Sequence, residues 1–381
     1  MSTTNTHTII HDLGDFTFDS GETLPHVQLA YECYGQLNEA KDNVILLNHA
    51  LTGSHHAHGW CDSLPEAEPL WMPENFEGWW NLMIGPDKPL DTNKYFIVCA
   101  NYLGGCYGST GPSSTAPDGK PWGGRFPLVK ARDQARAFML LLDSMGVDKF
   151  RLVAPSVGGL CGLVNAILYP ERVTGLLLIG VGYKISIEHR LSVFEQILAV
   201  EMDEQFCAGH YDPSNPPNRG LALARIICHK LFVDQSQLDK RARKGVIAKS
   251  PMLNWYQATR NTESYMLHQG TKFAKRFDAN SYLRIINMWG SYDVAQLCGK
   301  KSVDACFRVL AEHHIPVQLF SISTDYCFTP REIAAYHRKM VRNGVDAQYH
   351  CIKSSKGHDS FLLEPELYEA DIKQFLEDSK A

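Results

Sequence analysis

The chain has 381 residues, 44% of them hydrophobic and 21% charged, with 37 Lys+Arg against 42 Asp+Glu for a formal net charge of −5. That balance suits a globular protein with one large core and an added subdomain, and its mild acidic excess excludes a polyelectrolyte nucleic-acid binder, which needs a basic face. No apolar run approaches the ~20 residues of a membrane span, and the first eight residues lack the basic-then-apolar layout of a secretory signal.

Residues 44–48 form a short apolar run behind Asn43, and residues 95–100 form another between Asp91 and Asn101; both predict strands. Apolar positions at helical spacing predict helices over 131–145 and 158–169. Residues 150–154 and 175–180, the latter built around Leu176-Leu-Leu-Ile179, predict strands buried on both faces. From 183 to 297 strand signals are scarce, and Leu191, Phe194, Ile197 and Leu198 recur at a 3.6-type period, so a helical insertion is expected. Residues 210–220 carry three prolines and two asparagines and predict a loop. The alternation then resumes: strand 317–323, helix 330–343, strand 346–352 and a closing helix over 367–378. The predicted class is α/β, a mostly parallel sheet flanked by helices. Residues 1–182 and 298–381 are expected to form the core domain, and 183–297 an inserted helical lid.

Chemistry concentrates in Arg151-Leu-Val-Ala-Pro-Ser-Val-Gly-Gly159. A buried strand runs into Ser156 and a helical segment follows at once, the setting of a nucleophile elbow. Such a turn needs small residues two before and two after the nucleophile, here Ala154 and Gly158. The first Gly of G-x-S-x-G is missing, yet the steric demand is met, and Pro155 holds Ala154 extended. A serine hydroxyl needs a base, and the base needs an orienting acid. The order Ser, then Asp or Glu, then His, each after a strand, selects Asp325 behind 317–323 and His358 behind 346–352, with Gly357 beside it. Asp293 and Asp304 are rival acids that follow no convincing strand. An oxyanion hole needs two convergent N–H groups; Val157 is expected to supply one and Leu51, in Asn48-His-Ala-Leu-Thr-Gly53, the other. His49 falls too early in the chain to be the base.

Ser54-His-His-Ala-His58 is expected to be a solvated loop beside the site's mouth, since no Cys or acidic ligand set accompanies it; neither metal nor cofactor is expected. The Gly-rich stretch 101–114 lacks the Gly-Lys-Ser/Thr ending of a phosphate loop and predicts a structural loop. The aromatic stretch 71–80 suits a binding lip, but packing against the insertion is the preferred expectation. Eleven cysteines without a CxxC pair are expected to be free thiols in a reducing cytoplasm.

With Asn48-His-Ala-Leu-Thr-Gly53, Leu103-Gly-Gly-Cys106, Thr110-Gly-Pro-Ser-Ser114, Arg276-Phe-Asp-Ala-Asn-Ser-Tyr-Leu283 and Gly357-His-Asp-Ser-Phe-Leu362, the chain resembles the homoserine O-acetyltransferase family over residues 27–375. That family is a branch of the α/β hydrolases. The resemblance implies the α/β-hydrolase fold, a Ser156–His358–Asp325 triad, a helical lid and a homodimer. It also implies that Arg225 grips the homoserine carboxylate and Asp359 its amino group. Three departures stand out. Ala154-Pro155 replaces Gly-Gly, Phe232-Val233 replaces a Tyr-Arg pair whose Tyr lines the homoserine site, and Gly290 replaces an acid. A more apolar pocket costs a polar acceptor about 0.5–1.5 kcal/mol per lost hydrogen bond and a neutral ester nothing. The expected activity is therefore a carboxylesterase that hydrolyses short-chain acyl esters through a Ser156 acyl-enzyme. One alternative is a homoserine O-acetyltransferase using acetyl-CoA and L-homoserine; another is a non-catalytic ligand-binding α/β-hydrolase scaffold. The expected partner is a small-molecule ester, or acetyl-CoA for the transferase, with no nucleic acid and no membrane.

Overall fold

Strands that are apolar on both faces need helices above and below them. The computed structural model describes residues 6–242, 250 and 252–379; the extreme ends of the expected core, and residues 243–249 and 251 of the expected insertion, lie outside the described residues. One sheet holds eight strands: β1 (Ile9–Asp12), β2 (Gln28–Tyr34), β3 (Val44–Leu47), β4 (Phe96–Ala100), β5 (Phe150–Pro155), β6 (Val173–Ile179), β7 (Val317–Ile322) and β8 (Ala347–Ile352). Their spatial order is β1-β2-β4-β3-β5-β6-β7-β8. The pairs from β4 to β8 are all parallel, and β2 alone opposes its neighbours. Every residue of β3, β5 and β7 is buried, including the polar Arg151, Gln318 and Ser321.

Helices α1 (Ala131–Ser144) and α2 (Val157–Leu168) connect β4, β5 and β6. Between β6 and β7 the chain leaves the sheet for α3 (Ile187–Glu201), α4 (Asn218–Phe232), α5 (Asn261–Ala274) and α6 (Ala279–Gly290), then re-enters through α7 (Val303–Glu312). Helix α8 (Pro330–Arg342) joins β7 to β8, and α9 (Glu369–Asp378) closes the chain. Helix α4 begins inside the stretch expected to be loop, because Pro216 and Pro217 sit just ahead of its first turn, where their missing N–H groups cost nothing.

Periodicity does not reveal β1 and β2. In β2, Glu32 interrupts the apolar pattern, yet its side chain is buried. It is tolerated there because the Tyr34 hydroxyl donates to it at 2.8 Å and the His56 ring lies 3.0 Å away, so the carboxylate is not left unpaired in the core.

The parallel register brings the loops after β3, β5, β7 and β8 to one edge of the sheet. The loop after β3 presses directly on the start of α2. A Cβ at Gly158 would lie 2.4 Å from the Asn48 carbonyl oxygen and 2.9 Å from that of His49, and the Asn48 side-chain amide donates to Gly158 O at 3.2 Å. Gly158→Ala is expected to destabilise the fold by about 1–3 kcal/mol through overpacking, read as a lower thermal midpoint.

Candidate active site

Ser156 sits at the turn between β5 and α2 with φ 53° and ψ −129°. A non-glycine residue there carries about 1–3 kcal/mol of backbone strain. The turn is held by Ser156 N–H donating to Ile179 O and Gly159 N–H donating to Ser156 O, both at 2.8 Å. The sequence suggested that Ala154 and Gly158 approach one another; the structure pairs them differently. Gly158 faces the loop after β3, while the Ala154 methyl faces Gly162, where an added Cβ would come within 2.9 Å of it. The extra methyl is therefore absorbed by a glycine one turn further along α2.

Three distant side chains meet above this turn. The Ser156 hydroxyl lies 2.8 Å from His358 Nε2, and His358 Nδ1 lies 2.7 Å from Asp325 Oδ2. The other Asp325 oxygen accepts from the Cys327 N–H at 2.7 Å and the Phe328 N–H at 3.0 Å. These two backbone donors, invisible in the sequence, fix the carboxylate. All three residues are at most 4% exposed. Burial alone would push the His358 imidazolium down, but the Asp325 charge and hydrogen bond, with Asp359 adding its charge, raise its pKa above 6.5. The rival acids serve elsewhere. Asp293 caps a short helix through the N–H groups of Ala295 and Gln296, and Asp304 binds Lys339 and Asn343.

Val157 is the first residue of α2, so no carbonyl four residues back is placed to take its N–H. The Leu51 N–H has no acceptor among the described residues. Val157 follows Ser156 directly, and Leu51 stands on the loop whose Asn48 and His49 carbonyls press on Gly158.

Beside this trio lies a cleft of about 210 Å³ whose walls include Trp79, Arg225, Arg276, Glu77 and the Lys272–Glu74 ion pair. The trio itself is not in its lining; Phe232 lies between, stacked on His358 at 5.6 Å and 27°. Arg225 lies 5.5 Å from the Phe232 ring and 5.0 Å from that of Phe273, and Arg276 covers Phe273 at 5.2 Å. Neither guanidinium has an ion-pair partner among the described residues; Arg276 donates to Thr52 O at 3.4 Å and to the Tyr107 hydroxyl at 3.1 Å. Asp359 is half-buried, one residue beyond His358. Sequence reasoning missed Arg276 and Lys272 as cleft residues. Arg276 stood in a noted motif but carried no spacing signal of its own.

Three expectations need correction. Gly290 does not open the pocket: an added Cβ would strike Val193 Cγ1 of α3 at 2.6 Å, so an acid is excluded there by packing. His55 and His56 are not solvated but buried, because Glu32 and Thr8 pair with their ring nitrogens. The aromatic stretch divides. Trp71 packs edge-on to His56 and Tyr107, while Trp79 donates to Ser54 O at 2.8 Å and faces the cleft. By contrast, residues 101–114 form a structural loop, in which the Ser109 and Thr110 hydroxyls accept from the β2 N–H groups of Ala30 and Gln28.

A family model for the α/β hydrolase fold matches residues 43–365. A homoserine O-acetyltransferase of Geotalea uraniireducens is 35% identical over 96% of this chain and 95% of its own. A homoserine O-succinyltransferase of Dechloromonas aromatica is 37% identical over 95% and 94%. The chain belongs to the homoserine O-acyltransferase branch of the α/β hydrolases. Among solved structures, the Bacillus anthracis homoserine O-acetyltransferase superposes with TM-score 0.85 at 25% identity, covering 97% of each chain. Esterase E22, at TM-score 0.85 and 23% identity over 98% of this chain and 100% of its own, shares the fold. These relatives overturn the carboxylesterase expectation. The premise drawn from Gly290 also fails, since packing on Val193 leaves no room for a side chain there.

Asp325→Asn removes the charge that raises the imidazole. The His358 pKa, followed by NMR, is expected to lie above 6.5 in the parent and to move down in the variant.

Proposed function

We propose that this protein transfers an acyl group from an acyl-CoA thioester to the hydroxyl of L-homoserine, with acetyl-CoA as the first donor to test. The reading is carried by the hydrogen-bonded Ser156–His358–Asp325 chain standing beside a cleft whose Arg225 has no ion-pair partner among the described residues, in a member of this family. Ser156 Oγ attacks the thioester carbonyl while His358 Nε2 takes its proton, and Asp325 stabilises the imidazolium. The N–H groups of Leu51 and Val157 hold the tetrahedral oxyanion. The C–S bond breaks, and the departing sulfur takes the proton from His358. The homoserine hydroxyl then attacks the acyl-enzyme, giving its proton to His358. As the ester to Ser156 breaks, that proton returns to Oγ. Arg225 binds the acceptor carboxylate and Asp359 its ammonium. Phe232, where the family resemblance places a tyrosine, contributes a stacking face to His358 in place of a hydroxyl.

Helices α3–α6 form the lid in this reading. A cytoplasmic setting accompanies it, consistent with free cysteines and with no described helix long and apolar enough to cross a membrane. The chain also pairs with a second copy through α3. Ile187, Leu191, Phe194 and Leu198 form one apolar stripe along that helix, with Ile187 76% and Phe194 60% exposed.

Because the base must start neutral, kcat/KM is expected to rise with pH through the elevated His358 pKa. Release of CoA from acetyl-CoA is expected to depend on L-homoserine, with O-acylhomoserine formed in equal amount. Homoserine-independent release overturns the reading, and transfer from succinyl-CoA alone changes the donor. Arg225→Ala is expected to raise the homoserine KM by about 10- to 100-fold, the worth of a hydrogen bond to a charged group. Leu191→Asp/Phe194→Asp is expected to convert a dimer to a monomer in light scattering, and a monomeric parent removes the second copy from the proposal.

A further inference from the structure

The Ala50–Leu51 peptide has to be held one way round for its N–H to serve an oxyanion. In a trans peptide the carbonyl and the N–H of one unit point in opposite directions, so whatever holds the Ala50 oxygen also aims the Leu51 N–H. Two groups lie on that oxygen. The Gly53 N–H donates to it at 3.1 Å, and His49 Nδ1 lies 2.8 Å from it. A carbonyl only accepts, so Nδ1 carries the proton, and the other ring nitrogen is a bare lone pair. That second nitrogen, Nε2, is buried with no closely aligned donor, the Asn101 side chain being its polar neighbour. The ring thus forgoes one well-aligned hydrogen bond while keeping the other.

The ring itself is fixed from two further sides. Tyr102 lies against it with centroids 3.9 Å apart and the rings tilted by 38°, and it donates its hydroxyl to the His49 carbonyl. Gly53 leaves no slack, since an added Cβ would lie 3.3 Å from Nδ1. Burial pushes the His49 pKa down to about 3, so the ring stays neutral in the working range. The Leu51 N–H, on the far side of the same peptide, has no acceptor among the described residues.

We infer that His49 is a positioning residue of the oxyanion hole, whose Nδ1–H pins the Ala50 carbonyl so that the Leu51 N–H stays turned toward the acyl oxygen above Ser156. The inference rests on the acyl-enzyme reading above and adds a residue that touches neither substrate nor the reacting atoms. It also explains why a histidine too early in the chain to be the base stands in this loop. A neutral Nδ1–H donor at the first residue of the turn reaches forward to the next carbonyl.

The test compares His49→Asn, whose amide nitrogen takes the place of Nδ1, with His49→Gln, whose amide reaches toward Nε2. The readouts are kcat and KM for acyl transfer and the rate at which a fluorophosphonate, losing fluoride, labels Ser156. That label places its P=O oxygen in the hole and needs no homoserine. His49→Gln is expected to lose about 100-fold in kcat and in labelling rate, the worth of one oxyanion donor, with KM within about 2-fold. His49→Asn is expected to stay within about 10-fold of the parent. Equal losses in both variants, no loss in His49→Gln, or a loss confined to KM overturns the inference. If homoserine proves not to accept the acyl group while labelling still separates the variants, the acceptor reading fails and His49 keeps its role. Should both variants unfold, the parent's own phosphonyl adduct decides by crystallography. The inference requires its P=O oxygen on the Leu51 and Val157 N–H groups with His49 Nδ1 still on Ala50 O, and a turned peptide refutes it.

Discussion

A carboxylate buried at the end of a parallel strand is the constraint on which the rest of this site depends. Asp325 is 3% exposed, and a lone ionised carboxylate at that depth is strongly unfavourable. Three donors offset the cost: the backbone N–H groups of Cys327 and Phe328 on one oxygen and the His358 imidazole on the other. Because the backbone donors come from the turn that ends β7, the acid's position follows from the sheet. The imidazole's position follows from the acid, and its other nitrogen reaches Ser156. The histidine's elevated pKa has the same origin, since its partner's charge acts through a dry interior where it is weakly screened.

The elbow is a problem of close approach. A strand, a helix and the loop after β3 converge on Ser156, and each contact is met by a missing side chain. Gly158 admits the Asn48 carbonyl, and Gly162 admits the Ala154 methyl. Replacing the usual pre-nucleophile glycines by Ala154-Pro155 is tolerable because α2 remains glycine-rich at the positions that face the change. The strained Ser156 backbone is retained because hydrogen bonds to Ile179 and Gly159 hold it on both sides.

In the cleft, charge gathers around an aromatic ring. Phe273 carries Arg225 and Arg276 against its ring, and Phe232 relays between Arg225 and His358. Swapping a tyrosine for Phe232 in a one-dimensional comparison looks like a loss of polarity. In space the ring supports a guanidinium through its quadrupole and excludes water from the imidazole. Counting polar groups by position therefore pointed to a hydrolase, whereas the relatives point to an acyltransferase.

Much of the architecture was legible in the chain. Unbroken apolar runs such as Leu176–Ile179 marked the central strands, since burial on both faces leaves no room for alternation, and the order Ser156, Asp325, His358 followed from strand ends. Strands β1 and β2 were not legible, because Glu32 breaks the apolar pattern of β2 and its partner His56 lies on another segment. The burial of His55 and His56, the packing of Gly290 on Val193, the backbone donors to Asp325 and the cationic flank of Phe273 were likewise decided only by the tertiary structure. Local sequence determines which faces are apolar and which turns are allowed. Whether a polar group is paired, and whether a missing side chain opens a pocket or merely admits a neighbour, depends on residues brought close by the sheet from far along the chain.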